Sequence, residues 1–241
     1  MSYLGEGFRE ALRLLWQLDA EVYGAAWLSL RVSTVATLMA AAAGVPLGVA
    51  VGTSQFRGQR VVRVLLDTAM ALPTVVVGLF LYALLSRRGF LGPWGLLYTP
   101  GAMVAGQFLL ATPLVAALTV AAVGGADPAV AKTARSLGAG WMRVRWSVAS
   151  EARAAVLAAV VAGFGRVIAE VGVSIMLGGN IRHYTRNMTA AIALETSKGE
   201  FGFAIALGLV LLLVALVANA ALHALRHGGT LWNPSSKSAS S

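Results

Sequence analysis

Three groups of residues in this chain have types and spacing that could do chemistry. Arg166 and Glu170 stand four apart, one helical turn, inside a long apolar run. The stretch Asn180 to Thr196 gathers Arg182, His183, Thr185, Arg186, Asn187, Thr189 and Thr196. Between Val123 and Ser147 lies a polar island carrying Asp127, Lys132, Arg135, Ser136, Arg143 and Arg145. Guanidinium groups, amides and hydroxyls are donors suited to a tetrahedral oxyanion, and the planar arginine fork matches such acceptors. The same charges at 180–196 also suit the docking of a partner protein, and both readings stay open. Arg166 and Glu170 read either as a structural ion pair or as one face of a path through the membrane, since ionisable groups inside a bilayer are rare and functional by default. No catalytic constellation accompanies them. There is no GxxxxGK[ST] loop to hold ATP phosphates, no HExxH and no nucleophile elbow. The chain has no cysteine, and His183, His223 and His227 lack metal-ligand spacing, so no metal site is expected.

The elements that must position these residues are membrane helices. The 241 residues are 58% hydrophobic and 12% charged, against about 25% charged in a soluble domain. Mean hydropathy is +0.75. Five apolar runs are long enough to span: about Ala25 to Thr53, Val64 to Ser86, Pro100 to Val123, Ala154 to Gly178, and Phe201 to Leu222. The expected fold is all-α, polytopic, with a transmembrane domain over 25–226. Pro73, Pro113 and the run Gly44-Val45-Pro46-Leu47-Gly48 fall inside these spans, where they serve either packing or hinge motion. No internal repeat is evident.

The net charge of +9 comes from basic residues scattered through short loops, which fits the positive-inside rule and not a nucleic-acid groove. With five spans the loops fall into two sets. One holds Arg57, Arg60, Arg63, Lys132, Arg135, Arg143, Arg145, Arg153, Arg226 and Lys237; the other holds Arg9, Arg13, Arg87, Arg88, Arg182, Arg186 and Lys198. The richer set puts the island in the cytoplasm and the N-terminus outside. Residues 1–24 mix Glu6, Arg9, Glu10, Arg13, Asp19 and Glu21 with Leu4, Phe8, Leu12 and Leu15, a pattern of an interfacial amphipathic helix and not of a cleavable leader. The stretch Asn233 to Ser241 is small and polar, and a disordered tail is expected over 227–241.

The island reads as two short helices joined at Leu137-Gly138-Ala139-Gly140, with Asp127 as a cap and Pro128 at the first helical position. Leu137, Trp141 and Met142 would be its apolar anchors. Unpaired backbone and charge of this kind must lie in water or against protein. Its pattern resembles the cytoplasmic "EAA" loop in permease subunits of type I ABC importers: Lys132-Thr133-Ala134-Arg135-Ser136-Leu137-Gly138 matches from Ala134 onward, with Gly138 as the motif glycine. Lys132 and Thr133 depart from the first Glu and Ala, and Ser150-Glu151 from the usual Leu-Pro. The runs Phe164 to Gly172, Met176 to Ile181 and Thr185 to Gly199 resemble the molybdate/tungstate branch, tungstate permeases above all.

That resemblance implies a bacterial cytoplasmic membrane protein, working as a homodimer with an extracytoplasmic oxyanion-binding protein and an ABC ATP-binding subunit that holds the ATP and Mg. No cofactor is expected in this chain, which is not itself an enzyme. Asp127, Lys132, Arg135, Ser136, Leu137, Gly138, Trp141 and Arg143 would couple it to the ATPase. Arg166, Glu170, Asn180, Arg182, Arg186 and Thr189 are candidates for the translocation pathway. Molybdate or a sulfate-type anion is the alternative cargo. From other classes, a stand-alone ion-coupled transporter would use Arg166 and Glu170 as a proton-linked pair, and a scaffold would leave them unexplained.

Overall fold

The computed structural model describes residues 3–54 and 56–228. All elements are helical: α1 (Tyr3–Trp16), α2 (Ala20–Thr53), α3 (Gln59–Met70), α4 (Thr74–Leu85), a 3₁₀ turn (Gly92–Trp94), α5 (Pro100–Gly124), α6 (Pro128–Ser136), α7 (Trp141–Glu151), α8 (Arg153–Ile168), α9 (Gly172–Gly178), α10 (Met188–Lys198) and α11 (Phe201–Gly228). Among the described residues three helices are long and apolar enough to cross a membrane, Ala20–Thr53, Pro100–Gly124 and Phe201–Ala221; counting each bent pair as one span gives up to five.

The central pair is α2 and α5. Their contact is built from small residues, which let backbones approach where lipid offers no hydrophobic drive. A Cβ added at Gly48 would lie 2.5 Å from Thr119 Cβ and 2.6 Å from the Ala116 carbonyl oxygen. Glycine is required there by proximity, and α2 runs unbroken through Pro46. Gly44 to Gly48 is therefore a packing seam within a continuous helix. Pro113 likewise sits within a continuous α5.

Two expected spans are broken. The run expected as 64–86 is split at Pro73, and α3 meets α4 at 90°. Proline removes a helical N–H, and its ring pushes the preceding residue out of the helical region. With no buried residue, α3 lies on the surface. The run expected as 154–178 is interrupted at 169–171, so α8 ends at Ile168 and a separate α9 starts at Gly172. A 72° bend at Ala152 also joins α8 to the island helix α7.

The first boundary moves as well. α2 starts at Ala20, not near 25, because the Asp19 carboxylate accepts from the Glu21 and Val22 amides at 3.0 Å each. The amphipathic α1 buries Ala11 in a cluster with Leu207 of α11 and Val22 of α2, while Phe8, Leu12 and Trp16 stay exposed. It is thus clamped to the bundle as well as poised for an interface. At the other end α11 continues through Gly228, past the expected start of the tail at 227; residues 229–241 lie outside the described residues.

Candidate functional site

The polar island forms a helical hairpin. Asp127 Oδ1 accepts from the Ala129 amide at 2.8 Å and Pro128 opens α6. The turn closes through Leu137 N–H to Thr133 O (3.1 Å), Gly138 N–H to Arg135 O (3.0 Å) and Ala139 N–H to Ala134 O (3.0 Å). Gly138 has φ +77°, and no atom within 4 Å would meet a Cβ there. Backbone conformation, not crowding, demands glycine. Val144 and Val148 are buried and seat α7; Val148 joins Val123 and Ala152 in one cluster with Val49 beside it.

The outer side of the hairpin is open. Asp127, Lys132, Arg135, Ser136, Leu137, Gly138, Trp141 and Arg143 are all exposed, Leu137 at 81%. The structure thus brings the eight expected coupling residues onto one projecting element. It also adds two that sequence reasoning left out of the set. Arg145 donates from Nη2 to Ser54 Oγ at 2.6 Å and lies 4.7 Å from the Trp141 ring centroid, which ties α7 to the end of α2. The i, i+4 spacing of Trp141 and Arg145 was a usable signal. Ser54, 91 positions away, had none. No carboxylate pairs with Lys132, Arg135, Arg143 or Arg145 among the described residues.

The opposite end of the bundle carries a second polar group. Arg182 donates to Glu21 from Nε (2.8 Å) and Nη2, and Arg186 Nη1 donates to Glu21 Oε1 (2.6 Å) and Glu195 Oε1 (3.3 Å). Lys198 Nζ adds a 3.0 Å bond to the same Glu195 oxygen. Beside them opens a cleft of about 330 Å³ whose lining has four carboxylates, Glu10, Glu21, Glu195 and Glu200, against Arg182, Arg186 and Lys198. Such a balance does not focus anions. The two arginines expected as oxyanion donors are thus occupied by Glu21, which the sequence reading had treated only as part of the N-terminal helix.

Asn180 and Thr189 serve the local frame. Asn180 takes φ +50° and donates from Nδ2 to Ala190 O at 3.2 Å; Thr189 Oγ1 donates to the Glu170 carbonyl at 2.8 Å. Asn187 caps α10 through Ala190 N–H, and Met188 N–H donates to Ser29 Oγ at 2.8 Å, which locks this segment to α2.

Arg166 and Glu170 meet where the fourth run breaks. Arg166 Nη1 lies 2.7 Å from Glu170 Oε2, while Glu170 Oε1 accepts from the amides of Gly172 (3.0 Å) and Val173 (3.4 Å). Glu170 is past the end of α8, so the pair does not ride on one helix face as the spacing suggested. It bridges α8 to the start of α9. Thr189 meets Glu170 at this break, while Arg182 and Arg186 bond to Glu21 and Asn180 bonds to the Ala190 carbonyl.

The comparisons agree with this architecture. The profile of the family described as binding-protein-dependent transport system inner membrane component matches residues 44–228. A tungstate uptake system permease protein, TupB, of Peptoclostridium acidaminophilum is 42% identical, covering 94% of this chain and 99% of that protein. The TupB of Campylobacter jejuni is 40% identical, covering 94% and 95%. Among solved structures, the MetNI methionine ABC transporter in an inward-facing conformation superposes with a TM-score of 0.70 at 16% identity, covering 90% of this chain and 98% of that one. The chain belongs to the family of binding-protein-dependent transport system inner membrane components and has the type I ABC importer permease fold.

Proposed function

We propose that this chain is the permease subunit of an ATP-driven tungstate importer. The observation that carries the reading is the near full-length match to tungstate permeases, joined to a rigid hairpin whose apolar anchors stand bare on one end of the bundle. ATP hydrolysis belongs to a separate subunit, with its own ATP and Mg, because this chain lacks a phosphate-binding loop. Docked on Leu137, Trp141 and Met142, that subunit would pass its closure through α7 into α2 and α8. Two copies of the permease would enclose the path. A loaded receptor would dock at the end that carries Glu21 and Arg182, and the anion would leave on the hairpin side.

Charge supports the orientation. The hairpin end also holds the segment with Arg57, Arg60 and Arg63, since Arg145 bonds to Ser54 there. By the positive-inside rule this end is cytoplasmic and the N-terminus is outside. The secondary-transporter reading is the weaker one. Glu170 is engaged by Arg166 and two amides, a role that joins α8 to α9 and requires no coupled ion.

The test is reconstitution of the purified permease in proteoliposomes with its ATP-binding subunit and receptor. Tungstate accumulation that requires receptor and ATP supports the proposal. Accumulation without an ATPase would overturn it in favour of a stand-alone transporter. Accumulation of molybdate and not tungstate would correct the cargo alone.

A further inference from the structure

Arg166 is set apart by its depth and its exposure. A Cβ at Gly163 would lie 2.8 Å from Val115 Cγ2, and one at Gly106 would lie 2.3 Å from Val173 Cγ1. Those contacts put Arg166 level with the middle of the 25-residue α5, about 18 Å from either of its ends. Its side chain is nevertheless 45% exposed, whereas that of Glu170 is 5%. A guanidinium so bare at that depth is too costly against lipid, so water or protein must cover this surface.

Its donors are largely unspent. The bond to Glu170 uses one N–H, and no other partner of the guanidinium exists among the described residues. Glu170 itself is fully engaged: Oε2 holds Arg166, Oε1 holds two amides, and its carbonyl takes Thr189. The break between α3 and α4 closes on the same place. From the point where a Gly172 Cβ would stand, Thr74 Oγ1 is 3.3 Å away and Glu170 Oε1 3.4 Å. Two broken helices therefore meet at Gly172, beside the carboxylate that anchors Arg166.

We propose that Arg166 contacts the anion midway along the translocation path, that Glu170 is its positioning residue, and that the ligand is a tetrahedral oxyanion dianion. This rests on the permease reading above. With two copies around one path, two guanidinium groups would offer unspent N–H donors to such an anion, each held in place by a Glu170 carboxylate that offsets its charge.

The discriminating variant is the double change Arg166→Gln and Glu170→Gln. It removes both charges together, and the Gln carbonyl still accepts from Gly172 and Val173, so a purely structural pair would be made good. We expect the complex to assemble, receptor-stimulated ATP hydrolysis to stay within about twofold, and tungstate uptake to fall by roughly tenfold or more, with Arg166→Lys recovering part of the loss. Uptake at the unaltered level in the double variant overturns the proposal.

The absence of cysteine allows an independent readout. Ile175→Cys, on the exposed side of α9, is labelled in the assembled complex with a membrane-impermeant thiol reagent. Labelling that tungstate slows supports the site, including where the double variant fails to assemble, and the same is read at Ala162→Cys, one helical turn before Arg166 on α8. Labelling at Ala162→Cys by lipid-soluble reagents alone, or labelling there that is indifferent to tungstate, overturns it. Failure of the permease reading looks different, as absence of receptor-dependent uptake by the unaltered chain.

Discussion

The two ends of this bundle use the same residue types to opposite effect. At one end Arg182, Arg186 and Lys198 are matched to Glu21 and Glu195, with Arg186, Glu21 and Glu195 each nearly buried at 12%, 13% and 10% side-chain exposure. At the other, Lys132, Arg135, Arg143 and Arg145 have no carboxylate partner among the described residues and stand beside bare Leu137, Trp141, Met142 and Trp146. The first set of charges is consumed in holding α2, the 179–187 segment and α10 together. The second is left over for another molecule. For Arg182 and Arg186 the counter-ion is Glu21, which is invisible in their immediate sequence neighbours.

The contrast can be broken most forcefully at the hairpin. Gly138→Val puts a β-branched residue at φ +77°, a conformation that costs an ordinary L-residue roughly 1–2 kcal/mol and more with a branched Cβ. The expected outcome is membrane insertion as usual, with tungstate uptake reduced by about tenfold or more per ATP turned over. Normally coupled uptake in this variant would remove the hairpin from its transmitting role.

At the paired end the expected effect is on stability. Glu21→Leu removes the 2.6 Å acceptor of the nearly buried Arg186 and leaves it only the 3.3 Å contact with Glu195, and removing one member of a buried pair costs about 3 kcal/mol. A clear fall in thermal-unfolding temperature of the detergent-solubilised protein, with receptor-stimulated ATP hydrolysis retained in the protein that stays folded, is the result that keeps the comparison intact. An unchanged melting temperature would mean that the cluster is not structural.

Arg182→Gln sharpens the same point with a smaller effect. That side chain is 64% exposed, so its pairing is worth at most about 1 kcal/mol. Receptor affinity is expected to weaken with little change in maximal uptake. If maximal uptake drops while receptor affinity holds, Arg182 serves the anion directly, and the partition drawn between the two ends moves.

The smallest effect concerns the tyrosine pair at the edge of α5. Tyr82 and Tyr98 share a 3.3 Å hydroxyl contact, and the hydrogen bond to Tyr82, then burial, raises the Tyr98 pKa above its usual value. Because the protonated form is the one stabilised, this contribution is complete below the ordinary tyrosine range and fades as pH rises through the raised value. Tyr82→Phe is expected to shift Tyr98 titration downward in ultraviolet difference spectra and to leave uptake at neutral pH unchanged.

Much of this was legible from residue order. The hairpin could be read because its signals are local: a capping Asp127, Pro128 at the first helical position, Gly138 at the turn and polar residues between lipid-compatible runs. Apolar length identified α2, α5 and α11 for the same reason, since a span needs only its own residues to satisfy its backbone. The breaks were harder. Pro73 marks one, but the interruption at 169–171 has no proline; it exists because Glu170 finds the amides of Gly172 and Val173 and the hydroxyl of Thr189.

The sequence by itself determined class, the three unbroken spans, the projecting hairpin and the family, because periodicity, caps and hydropathy act within a few residues of where they are written. Only the tertiary structure decided which charges remain available. Glu21 meets Arg182 across 161 positions and Ser54 meets Arg145 across 91, and no local rule foretells such pairings. Arg166 shows the same division. Its presence in an apolar run could be read directly, but its half-bare guanidinium at mid-depth, beside a carboxylate already spent on α9, depends on two chain breaks being packed against each other.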